Sequence, residues 1–343
     1  MRVLNLHKKI ISLFLLIMAS GFLFAQTLYW ENPQVITDTD SRFPVSLTNG
    51  QDSYILWEEV DSKNKAIYLS IRKYNSFTDF FENRRFAGPF NYSGDEVPDI
   101  YTAAILDDGR FAVAVASDYG QISVFSSSDQ AFTFEETKLP STSTMVAPRI
   151  YSTKAGGYKM FTSVGEENAF TIFTADSADG KSWSRFVQFQ PVLSFRNPFI
   201  PVLLKTETED ILVFQAQYTS AETNRLSYQL YLTSRSGNGN NWTAPVLLTD
   251  RNSLTSQSKK EFHNYQNQRP YLYNYKGTYY LTWERTDTVE SSIWVAQITK
   301  QGLVKGTAES IGSQGSANRS ILFEYEDHLY TTWFDTRRGR ESV

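Results

Sequence analysis

The chain contains no cysteine in 343 residues, which excludes disulfides, thiolate metal sites and a cysteine nucleophile together. Histidine is nearly as scarce. His7, His263 and His328 have no partner at metal-ligand spacing, so neither a metal nor a cofactor is expected, and they read as surface or satisfied side chains. Positive charge is not gathered on any stripe: the net charge is −4 and Lys and Arg are scattered, which argues against nucleic acid as a partner. No long hydrophobic run occurs either, since the stretch Ile10 to Phe24 falls short of the roughly 20 apolar residues a membrane span needs. With Arg2, Lys8 and Lys9 before that stretch and the small Ala25 after it, residues 1–25 read as a secretory signal peptide. Export to the periplasm, the cell surface or the medium is therefore expected, with no stable membrane span.

Aromatic residues are plentiful, with 20 Tyr and 24 Phe, and the texture of short apolar runs between polar turns leaves no room for long amphipathic helices. The class is all-β. A periodicity then appears in the segments SRFPVSL, EVPDIYT, VAPRIYS, PFIPVLL, QRPYLYN and NRSILFE. They are anchored on Pro44, Pro98, Pro148, Pro201, Pro270 and Ser320, at spacings of 54, 50, 53, 69 and 50 residues. Thirteen residues beyond each anchor stands an aromatic: Trp57, Phe111, Phe161, Phe214, Trp283 and Trp333. A third run follows (AIYLSIRK, QISVFSS, FTIFTADS, YQLYLTS, SIWVAQIT), then a polar turn and a fourth run such as WTAPVLLTD. Four short antiparallel strands per unit of about 50 residues is the pattern of a β-propeller blade.

Six units begin, so six four-stranded blades are expected across 26–343. Trp30–Asp38 matches Trp242–Asp250 at Trp, Pro, Thr and Asp, so the N terminus reads as an orphan fourth strand that closes the last blade. Trp333 lies so near Val343 that the chain is expected to break off inside that blade. The 69-residue spacing holds a polar insertion, Asp250 to Gln268, expected as a long loop on one face of the disc.

The turn between third and fourth runs carries a motif. Ser177-Ala178-Asp179-Gly180-Lys181-Ser182-Trp183 sets an Asp that can accept backbone amides beside an aromatic that can plug the packing between sheets. Ser127-x-Asp129 through Thr133-Phe134 keeps the pattern with Phe for Trp, and Ser234 through Gly239 to Trp242 keeps the glycines and Trp without the Asp. These turns resemble the Asp box, or bacterial neuraminidase repeat, Ser-x-Asp-x-Gly-x-Thr-Trp. The chain from residue 27 onward thus resembles the sialidase-like propellers. That resemblance implies a glycan ligand held by three arginines, with a Tyr–Glu pair and an Asp as catalytic groups.

Arg42-Phe43-Pro44 resembles the Arg-Ile-Pro signature of that family, although Ser41 replaces the expected aromatic. Arg149, Arg269 and Arg319 also lie beside their anchors, where innermost strands begin. Forked guanidiniums are the best grip on a carboxylate, so Arg42, Arg269 and Arg319 are the expected anion clamp. The plain alternative is that these arginines pair with neighbouring carboxylates. Candidate acids are Glu58, Glu59, Glu284 and Asp335, with Glu284-Arg285 the nearest equivalent of the family's Glu. No Tyr or Asp takes the remaining roles, so the catalytic set is incomplete. A ligand-binding propeller for an extracellular glycan or polymer is the leading expectation, and an exo-sialidase the alternative.

Overall fold

The structure is a computed structural model that describes residues 39–335, apart from 50–51, 76–82, 92–100, 117–119, 142, 167–168, 207, 220–223, 225, 237–240, 250–264, 287–289, 313–316 and 326. The expected leader, the Trp30–Asp38 strand and its closing role, Pro98, Gly239, His263 and most of the polar insertion lie outside the described residues.

The chain is all-β, built from antiparallel meanders. The first blade is β1 (Ser41–Thr48), β2 (Asp52–Asp61), β3 (Ala66–Asn75) and β4 (Asn83–Asn91). The second is β5 (Tyr101–Ile105), β6 (Phe111–Ala116), β7 (Ile122–Ser127) and β8 (Glu135–Lys138). The third is β9 (Thr144–Ser152), β10 (Tyr158–Gly165), β11 (Thr171–Ser177) and β12 (Val187–Gln188). The fourth is β13 (Arg196–Lys205), β14 (Glu209–Thr219), β15 (Leu226–Ser236) and β16 (Val246–Leu247). The fifth is β17 (Gln266–Tyr275), β18 (Thr278–Thr286) and β19 (Ser291–Thr299), whose outer edge is shared by β20 (Gly302–Leu303) and β21 (Glu309–Gly312). A two-stranded sheet, β22 (Ala317–Tyr325) with β23 (His328–Asp335), completes the series. Of the six blades expected, the described residues form five, plus this pair.

The middle of each second strand in the five blades is buried where blades pack face to face; all but the last residue of β6 are buried. Four apolar clusters each span one blade junction. Tyr54, Leu56 and Ile67 meet Phe111 and Val113 between blades one and two, and Trp283 meets Leu230 and Leu232 between blades four and five. Phe111 and Val113 face blade one while Ala112 and Ala114 face blade three, the period of two expected of a strand with a packed sheet on either side.

The thirteen-residue spacing misplaces two aromatics. Phe111 pairs with Ile105 at the start of β6 and is no counterpart of Trp57. Phe161 is one residue out, because five residues separate the last pair of β9 and β10 (Ser152 and Tyr158) where four separate that of β1 and β2 (Thr48 and Ser53), and Thr162 occupies the equivalent place.

The innermost strands share a distortion. Phe43 (φ 53°), Ala147 (48°), Ile200 (46°), Arg269 (49°) and Arg319 (55°) all adopt left-handed backbone immediately before their anchors. Each coincides with a slip in pairing register, for example between Arg42 and Val45 or between Gln268 and Tyr271. This is a repeated β-bulge, and a left-handed β-branched Ile200 persists only where its surroundings dictate it.

The polar turns form as their residue types predict. Asp179 Oδ1 accepts the amides of Lys181 (2.8 Å) and Ser182 (2.7 Å), while Ser177 Oγ accepts the Gly180 amide (2.8 Å). Gly180 has φ 78°, and a Cβ there would stand 3.3 Å from both Ser126 and Tyr158, so glycine is needed for conformation and for space. In the second turn Asp129 accepts the Thr133 amide (2.9 Å) and hydroxyl (2.6 Å), Ser127 Oγ accepts the Ala131 amide (3.0 Å), and Phe134 stacks on Phe86 at 4.3 Å. The third closes without an Asp, through Thr243 and Ser234, and Trp242 packs edge-on against Phe189 at 5.3 Å. Trp183 is half-buried against the cluster between blades two and three, and its Nε1 donates to Gly180 O at 3.0 Å.

Two outcomes follow. Burial alone would raise the Asp129 carboxyl, but the bonds from Thr133 and Ser127 pull it down to about 2. Its contribution is therefore present above the ordinary carboxylate pKa of about 3.9 and disappears as pH falls from there through about 2. The Tm gap between the wild type and Asp129→Asn should be widest above pH 5 and close toward pH 2. Trp183→Ala should lower unfolding free energy by about 2 kcal/mol in urea titration, less than for a fully buried indole.

Candidate functional site

The residue following the aromatic of a second strand is polar and buried in three blades: Glu58 (fully buried), Gln215 (5% exposed) and Glu284 (2% exposed). Each stands opposite the residue that opens the bulge of its own innermost strand: Arg42 faces Glu58, Phe199 faces Gln215 and Gln268 faces Glu284. Two of these side chains reach across to the next blade. Gln215 Oε1 accepts the Arg269 amide at 2.9 Å, and Glu284 Oε1 accepts the Arg319 amide at 2.5 Å. The bulge turns those amides away from their own ladder, and a buried amide must find an acceptor elsewhere.

On the same side, Tyr101 Oη donates to the Phe43 carbonyl at 2.6 Å, so a bulge carbonyl is also met from the next blade. Tyr151 Oη does similar work by accepting the Leu203 amide at 3.0 Å, and burial pushes this phenol up to about 12.

The three clamp arginines come together around Phe43 and Glu284. Arg42 and Arg319 both pack over the Phe43 ring, with guanidinium carbons 4.9 Å and 3.6 Å from its centroid. Arg319 is joined through its amide to Glu284, and Arg269 Nη1 lies 3.2 Å from both Glu284 oxygens. Arg42 Nε donates to Glu58 at 2.8 Å. The plain alternative thus describes part of the arrangement: Arg42 and Arg269 each have a carboxylate partner. Arg269 is more open than Arg42, with a third of its side chain exposed against 14%.

Burial pushes the Glu284 carboxyl above its ordinary range, and Arg269 and Arg319 oppose that rise. Arg149 lies one residue beyond its anchor, donates to the Pro148 carbonyl at 3.0 Å, and has no described contact with Arg42, Arg269 or Arg319. Glu59 points away to Arg85 and Thr39. The Asp335 side chain is outside the described residues. Among the described residues no group of three His, Asp or Glu is placed to hold a metal ion, and no helix is long and apolar enough to cross a membrane. Gln215 was not singled out from the sequence, and Phe43 was noted only within Arg42-Phe43-Pro44. The available signal was a polar residue directly after a buried strand aromatic.

No protein-family model matches the chain, and no curated protein does. Solved structures do. A mutant α-L-arabinofuranosidase from Fusarium graminearum in complex with an iminosugar inhibitor is similar over 87% of this chain and 89% of its own, at 15% identity and a TM-score of 0.56. The GH93 α-L-arabinofuranosidase of Fusarium graminearum with arabinobiose is similar over 88% and 90%, at 15% identity and a TM-score of 0.55. The chain shares their β-propeller fold. At that identity the likeness extends to the fold alone.

Glu284→Ala removes the acceptor for both the Arg269 guanidinium and the Arg319 amide. Urea unfolding should register a loss of about 3–5 kcal/mol, as for breaking a buried pair from one side. Glu284→Gln, which keeps an oxygen for the amide, should lose about half as much or less.

Proposed function

We propose that the chain is an exported, glycan-binding β-propeller of the sialidase-like kind, which grips an acidic sugar at the mouth formed by Arg42, Arg269 and Arg319. The observation that carries this reading is the gathering of three guanidiniums around Phe43 and Glu284. A planar guanidinium matches a carboxylate in geometry as well as charge, and the half-covered Phe43 ring supplies an apolar floor beside it. The same reading takes the turns at Ser177 and Ser127 as Asp boxes. It takes 1–25 as a signal peptide. The structural neighbours are arabinofuranosidases, which agrees with a saccharide as ligand.

A second reading, an exo-acting glycosidase of sialidase type, is favoured by one feature. Glu284 is a nearly buried carboxyl whose affinity for a proton is raised by that burial, a property suited to acid–base work on a glycosidic bond.

Calorimetric titration with N-acetylneuraminate, alongside a fluorogenic sialoside and arabinofuranoside, separates the two. The binding reading expects saturable heat, weakened about tenfold or more by Arg269→Ala, with no turnover. Turnover abolished by Glu284→Gln in a folded protein would move the assignment to the enzyme. Absence of binding to every acidic sugar on a glycan array would end both.

A further inference from the structure

The turn side of blades four and five holds a second polar recess that the mouth does not use. Its volume is about 370 Å³, inside the range of roughly 300–1,000 Å³ common for small-ligand pockets and enough for one or two sugar rings. Blade four contributes Glu209 from the start of β14, Ser234 and Arg235 from the end of β15, and Asn241 and Thr243 from the segment leading to β16; blade five contributes Lys300 from the β19–β20 turn.

The recess has a fixed cation. Arg235 Nε and Nη2 both donate to Asp210 Oδ2, at 2.8 and 2.7 Å, and Asp210 is itself buried. The guanidinium also lies over the Trp242 ring, 4.8 Å from its centroid. Asp210 and Trp242 thus hold the planar group still and spend Nε and Nη2, while Nη1 makes neither bond. Lys300 is exposed and adds a second, mobile positive charge from the neighbouring blade.

Positive character extends beyond the walls. Burial lowers the pKa of Lys205; nearby Asp210 opposes this and nearby Arg235, Lys154 and Lys159 add to it, so several cations share this region. Against them stands one lining carboxylate, Glu209, with its backbone held by the Thr206 turn. Thr243 Oγ1 accepts the Ser234 amide at 3.0 Å, which leaves its hydroxyl proton to donate, and the Asn241 amide offers both donors and an acceptor.

A compact dianion such as phosphate would meet repulsion from Glu209. A ring carrying one carboxylate and several hydroxyls satisfies all of these groups: the carboxylate faces Arg235 and Lys300, and vicinal hydroxyls donate to Glu209 and pair with Asn241 and Thr243. We propose that this recess is a second saccharide site, selective for a uronic acid unit of an acidic polysaccharide.

The test is calorimetric titration of the full chain with digalacturonate, with neutral galactobiose and with inorganic phosphate. Digalacturonate should bind saturably, and galactobiose and phosphate should bind at least about tenfold more weakly. Lys300→Glu, on an exposed turn, should weaken digalacturonate about tenfold or more with Tm unchanged, and Asn241→Ala should weaken it by less. Arg269→Ala, at the mouth on the other side, should leave this affinity as it is. The proposal is overturned by absence of saturable heat, by phosphate binding as tightly as the uronate, or by an affinity that falls in Arg269→Ala and not in Lys300→Glu. The last result would place the uronate at the mouth and leave the binding reading of that site intact.

Discussion

A backbone amide displaced by a bulge needs an acceptor, and in this propeller the neighbouring blade supplies it. Gln215 and Glu284, each following the buried aromatic of a second strand, accept the amides of Arg269 and Arg319 across the junction. Leaving either amide buried and unmatched costs about 1–3 kcal/mol, comparable to burying an aliphatic side chain, so the bulge and its acceptor stand or fall together. The apolar clusters press the blades against each other without direction. These bonds fix where one blade sits on the next, because they have a required length and angle.

The same geometry explains why arginines at the bulge can gather. A residue in the left-handed region directs its side chain away from the alternation of the strand, and here that places the Arg269 guanidinium toward Glu284 and the Arg319 guanidinium over Phe43. Glu284 then serves two blades at once: it accepts an amide from one and a guanidinium from the other. A carboxylate so placed carries a large desolvation penalty, and its pKa rises in spite of its partners. The recess on the turn side follows a different scheme, with its guanidinium fixed by a buried Asp210 and the Trp242 ring within a single blade.

Much of the architecture is legible because the chain repeats itself. The meander, the order of strands and the polar turns at Ser127 and Ser177 follow from period-two runs separated by Asp and Gly at recurring intervals. Register is harder to read. A five-residue β9–β10 connection shifts Phe161 by one place, and a one-residue shift exchanges the faces of a strand, so spacing alone does not tell which blade Phe161 meets. The left-handed residues carry no signature, since Phe43, Ile200 and Arg319 are poor formers of that conformation and adopt it under tertiary constraint. The arginines of the site were visible as residues, and Glu284 as a candidate. Their shared dependence on Phe43 and on a displaced amide was not, because it joins segments distant in sequence.

That distance bears on when the site comes into being. Phe43 lies in the first innermost strand and Arg319 in the last, so their stacking is among the most non-local contacts in the protein. Loop-closure entropy makes such contacts late events in folding. During synthesis, the first four blades have emerged before Arg319 is added, and they contain Phe43 with only part of its surroundings. The grouping of Arg42 and Arg319 over Phe43 is therefore a late product of assembly, absent from any chain that has not yet added Arg319.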